Sequence, residues 1–153
     1  MIVRLTKLSD ERHRFEAWRD DGSHEAADLE TRSLLLHDLV HYAVESRAGL
    51  ARGFFGCLAA GVSLARLGDR EAPLMDEEPD LAYAERLVGP MQSLFRGRMT
   101  RARYLELTHL DAAFVTDVLE HLRRLDGRWR ATRYRDAMDL PWPAAGPPPL
   151  ASP

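Results

Sequence analysis

The hydrophobic pattern changes period at residue 31, and that change constrains the fold more than any other feature. Before it, ERHRFEAWR at residues 11 to 19 alternates. His13, Phe15, Ala17 and Arg19 fall on one side, and Arg12, Arg14, Glu16 and Trp18 on the other. Asp20-Asp21-Gly22-Ser23 follows, and Asp-Gly between two extended runs is a strong hairpin signal. HEAADLE, residues 24 to 30, returns as the partner strand, and IVRLTK, residues 2 to 7, adds a third run rich in β-branched residues. An antiparallel meander of two or three strands is expected, with His13 and His24 at its surface.

From Thr31 the spacing is helical. TRSLLLHDLVHYAVE, residues 31 to 45, places Leu35, Leu36, Leu39, Val40, Ala43 and Val44 on a core-facing side. Thr31 or Ser33 is suited to cap this helix, and Gly49 to end it in a left-handed turn. A helix advances about 100° per residue, so His41, Glu45 and Asp38 lie about 40°, 80° and 100° round from His37. Two histidines at i and i+4 stand one above the other, about 6 Å apart along the axis, which suits two imidazoles converging on one ion. Asp38 takes the slot that glutamate fills in the HExxH metalloprotease motif. One methylene shorter, it fits better as a ligand or as an acceptor for an imidazole N–H. Glu45 joins the same ion if its side chain lies back along the helix, the direction helical side chains favour. The expected site is therefore His37, Asp38, His41 and Glu45 around a divalent metal, zinc or manganese, able to activate water for hydrolysis. The opposing expectation is a solvated polar stripe, the commonest face of a surface helix.

LARGFFGCLAAGVSLARL, residues 50 to 67, is apolar on nearly every side and reads as a central helix. Its small residues Gly53, Gly56, Ala59, Ala60 and Gly61 admit a close backbone approach. A non-enzymatic domain that forms a homodimer through residues 53 to 61 is the second functional expectation. A polar linker with two prolines spans residues 68 to 80. Leu81, Ala84, Leu87, Val88, Met91, Leu94 and Phe95 then keep helical spacing, with Pro90 expected to kink or split that helix. Ten arginines fall between residues 96 and 135, but five acids are interleaved and no stacking aromatics or binding motif accompany them. The span reads as a solvated loop and helix face, with no nucleic-acid partner. Thr108 to Asp111 resembles a capping box for a helix running to about Leu125, ended by Asp126-Gly127. His109 or His121 is a candidate third ligand. Met138, Leu140 and Trp142 alternate as a last strand or strap.

The net charge of −3 implies neither nucleic acid nor membrane. All 21 basic residues except Lys7 are arginine, which reads as coding bias. Cys57 is the single cysteine, so no internal disulfide forms. The apolar runs fall short of the ~20 residues that span a bilayer, and no signal peptide is visible. The expected setting is the bacterial cytoplasm.

His37-Asp38-Leu39-Val40-His41 resembles the HDxxH metal motif of the helical ubiquinone-biosynthesis proteins. Those carry a further glutamate twelve residues after the second histidine, where this chain has Gly53. His37-Asp38 also resembles the dyad of HD-domain phosphohydrolases, which implies another histidine on an earlier helix and a later aspartate, here Asp111 or Asp117. LLLHDLVHYAVE followed by GFFG is similar to a group of small uncharacterised bacterial proteins. The architecture expected is one α+β domain over residues 1–142, mainly helical. A small antiparallel N-terminal sheet packs on about four helices, and a Pro-rich mobile tail covers 143–153.

Overall fold

The structure is a computed structural model that describes residues 1–143. Apart from Pro143, the tail expected over 143–153 lies outside the described residues. The three N-terminal runs form strands β1 (Ile2–Lys7), β2 (Arg12–Trp18) and β3 (His24–Glu30). The strap forms β4 (Ala137–Pro141), antiparallel to β1, giving a sheet of order β3-β2-β1-β4. Leu5 faces Phe15 on one side and Met138 on the other, and Val3 faces Ala17 and Leu140. This register points all six side chains into the core, because the side-chain period of a strand is two. The opposite face is ion-paired: Arg4 with Asp139 and Arg14 with Asp28.

Among the described residues six α-helices follow the first three strands. They are α1 (Leu36–Ala48), α2 (Phe54–Ala59), α3 (Leu64–Leu67), α4 (Pro79–Phe95), α5 (Arg101–Thr108) and α6 (Ala112–Ala131). The fold is α+β, as expected, but the helix count and several boundaries differ. The apolar run 50 to 67 is not one helix. Gly61, at φ +100°, ends the first part, and Ser63 caps the second by accepting the Arg66 amide. Pro90 sits inside α4 without splitting it. The basic span contains α5, capped by Thr100 and anchored by the buried Tyr104, whose hydroxyl lies 3.4 Å from the Leu87 carbonyl. Gly127 does not end α6, because Leu122, Leu125 and Trp129 continue one buried stripe past it. Helix α1 is central. A π-helical turn, Thr31–Leu35, leads into it, and the Tyr42 hydroxyl ties it to β4 by donating to the Pro141 carbonyl at 2.7 Å. Neither Thr31 nor Ser33 caps it. No described helix is long and apolar enough to cross a membrane.

His13 is not at the surface. It is fully buried on the core face of β2, edge-on to Trp129, with Nδ1 3.0 Å from Thr31 Oγ1 and Nε2 without a partner among the described residues. Burial, helped by the nearby Arg12 charge, pushes its pKa down to about 4. The native state therefore binds fewer protons than the unfolded chain between about pH 6.5 and 4. Stability from this site is complete above pH 6.5 and is lost on acidification toward pH 4, by on the order of 3 kcal/mol. In urea titrations at pH 7.5 and 4.5, His13→Phe should lose less stability between the two than the wild type. Parallel losses would show that His13 plays no part.

Candidate metal centre

The expected histidines meet, but their third partner comes from another helix. His37 and His41 project from α1 with ring centroids 4.7 Å apart and planes 75° apart. Glu85 enters from the facing α4. One ligand atom from each of His37, His41 and Glu85 lies within 4.8 Å of the others. His41 Nε2 approaches Glu85 Oε1 to 3.0 Å, yet the carboxylate stands off the ring N–H direction and makes no aligned hydrogen bond to it. A fully buried imidazole thus has one nitrogen facing a histidine and a carboxylate without a directed partner.

The other His41 nitrogen is held firmly. Nδ1 donates to Glu45 Oε1 at 2.8 Å. Glu45 is itself fully buried, and it also accepts the Phe54 amide at 2.8 Å and the Phe55 amide at 3.0 Å. Three N–H groups thus occupy the Glu45 carboxylate, which stands behind His41 rather than beside Glu85. Its contact with Nδ1 fixes the ring orientation and turns Nε2 toward Glu85. The arrangement depends on Gly53: a Cβ there would sit 2.4 Å from the Glu45 carboxyl carbon and 2.5 and 2.8 Å from its oxygens. Gly53→Ala should therefore displace Glu45 and lower stability by roughly 2 kcal/mol, read by urea denaturation. Unchanged stability would mean that the carboxylate moves aside freely.

Electrostatics separate the members. Burial, and then the neighbouring His41 charge, hold His37 below the ordinary histidine range. Burial lowers His41 too, but the Glu45 hydrogen bond and the charges of Glu45 and Glu85 outweigh it and push its pKa up to about 9. The His41 contact holds Glu85 below the usual carboxylate range. Asp38 is buried and makes no hydrogen bond to any described residue, and burial pushes its pKa up to about 7 against the opposing pull of His41. Asp38, His37, His41 and Glu85 share one wall of a cavity of about 620 Å³.

The other candidate ligands are used elsewhere. His109 closes α5 in a left-handed conformation at φ 57°, and His121 packs edge-on to Tyr42. Asp111 caps α6 through the Phe114 amide, and Asp117 pairs with Arg47. Before α1 come three strands and the π-helical turn Thr31–Leu35, which carries no histidine, where the HD-domain likeness implies a helix bearing one. No protein-family model, curated protein or solved structure matches this chain. What the site does is therefore argued from its own geometry.

Glu85 was missed because nothing in its immediate sequence marks it as a ligand. One signal was present: it follows Leu81 by four residues and precedes Val88 by three, at the edge of the buried stripe of α4. A carboxylate in such a place needs a partner.

Proposed function

We propose that this chain binds a divalent ion, zinc or manganese, through His37, His41 and Glu85, and uses it for hydrolysis. The observation that carries the reading is a buried His41, anchored on Glu45 through Nδ1, whose Nε2 faces His37 and Glu85 without an aligned hydrogen bond. Two histidines and one carboxylate are a donor set that zinc hydrolases use, with the fourth position left to water. An ion held by these three residues would supply a water of lowered pKa. Asp38 opens on the same cavity and would serve there as the proton acceptor. The cytoplasmic setting, without nucleic acid or membrane, belongs to this proposal as the sequence suggested it.

Two results test it. Protein purified without a histidine tag should carry one equivalent of metal, by elemental analysis, or take it up from solution. Asp38→Asn should keep the metal and lose hydrolysis of activated esters by about 10²-fold or more. Metal-free protein that also fails to bind added zinc would end the reading. It would leave His41 as an imidazolium held between two carboxylates, a structural ion pair.

A further inference from the structure

The cavity above His37, His41 and Glu85 is built unevenly. Its buried lining includes two polar groups, His41 at 1% and Asp38 at 8% exposed, beside the buried Phe15. Its walls are apolar and come from separate elements: Leu34 from the turn before α1, Leu64 and Leu67 from α3, Leu74 and Met75 from the short turn at 74–76, and Leu81 from α4. Leu34 and Met75, at 38% and 41% exposed, are among the few large apolar side chains left to water. Large side chains gathered at the mouth of a pocket mark a surface that something apolar covers.

Charge narrows the occupant further. Two carboxyl groups line the cavity beside the histidines, the buried Asp38 and the partly exposed Glu85, and the basic residue of the lining, Arg70, lies exposed. A phosphate dianion there would face both carboxyl groups with no arginine or lysine beside it. A singly charged or neutral oxygen head on the metal avoids that repulsion. The volume, about 620 Å³, falls within the range of small-molecule sites.

We infer that this cavity takes a small amphipathic acyl compound, with the carboxylate or ester oxygen on the ion and an alkyl tail along Leu34, Leu64, Leu67, Leu74 and Met75. The inference rests on the metal reading for the head group and stands on the apolar walls for the tail. The two are separable. Straight-chain carboxylates from acetate to octanoate are titrated into zinc-loaded protein by calorimetry, and again into zinc-free protein.

Affinity for the zinc-loaded protein should rise about threefold to fourfold for each added methylene, the transfer increment of one buried CH₂. Leu34→Asp with Met75→Asp, two exposed positions that leave the core intact, should flatten that series while zinc affinity holds. A flat series on protein that binds zinc overturns the acyl assignment and leaves the metal site standing. A rising series on protein that binds no zinc removes the metal and keeps the apolar tail site. A slope untouched by the double substitution places the tail elsewhere and overturns the assignment.

Discussion

His41→Ala should weaken zinc binding by roughly a thousandfold. A three-residue site that loses its most buried ligand keeps little of the geometry that selects zinc. His37→Ala and Glu85→Gln each remove one ligand from a more exposed position and should cost roughly a hundredfold. Glu45→Gln leaves the ligands in place but replaces one acceptor oxygen with an NH₂ group that opposes either the Phe55 N–H or those of Phe54 and His41, so a loss of about 10- to 100-fold is expected. Competition against a chromophoric chelator measures all four. Equal, negligible effects across the set would leave a structural ion pair and no metal site. The solvated stripe expected as the alternative is already excluded, because Asp38, His41 and Glu45 are buried. Because Glu45 and Glu85 keep the metal-free His41 protonated up to about pH 9, an ion must displace a proton. Zinc affinity should accordingly rise with pH up to that value. Folding should suffer too: without the imidazole, the buried Glu45 carboxylate loses one of its three donors, at a cost of about 1–3 kcal/mol.

Gly56→Ala should destabilise the chain by about 3 kcal/mol or more. A Cβ at Gly56 would lie 1.9 Å from the Ala51 carbonyl oxygen and 2.6 Å from its carbon. That neighbour is backbone, so relief requires moving α2 or the segment before it, and α2 carries the amides that hold Glu45. The control is Gly127→Ala. Nothing lies within 4 Å of its would-be Cβ, and the residue is inside α6. Alanine there should stabilise by about 0.5–1 kcal/mol, the propensity difference in a helix. Urea midpoints at constant m-value decide both. If Gly56→Ala matched Gly127→Ala, the close approach at Ala51 would be wrong. Gly53 and Gly56 thus have an internal use: one admits a carboxylate and the other a carbonyl. The small-residue stretch is accounted for without a second copy of the chain, and a homodimer through residues 53 to 61 remains a proposal for sedimentation to decide.

Much of the fold was legible from residues close in sequence. The Asp-Gly turn between alternating runs placed β2 and β3, and Gly49 marked the end of α1, where it takes φ 66°. Two of the errors share one cause. His13 reads as a surface strand residue until α6 brings Trp129 over it. Asp126-Gly127 reads as a stop until Trp129, two residues later, is seen to be buried. In each case a contact from a distant segment outweighed a local preference worth about 1 kcal/mol.

The candidate site divides in the same way. Helical geometry alone brings His37 and His41 together, since residues four apart share a face whatever else the chain does. The role of Glu45 and the arrival of Glu85 depend on how α2 and α4 pack against α1. Those placements reflect the burial of Phe55, Leu81 and Val88, side chains with no metal chemistry of their own. Local periodicity by itself determined the strands, the long helices and one pair of imidazoles. Only tertiary packing decided which carboxylate supports His41 and which one faces it, because hydrophobic burial sets the distance between segments that spacing along the chain does not encode.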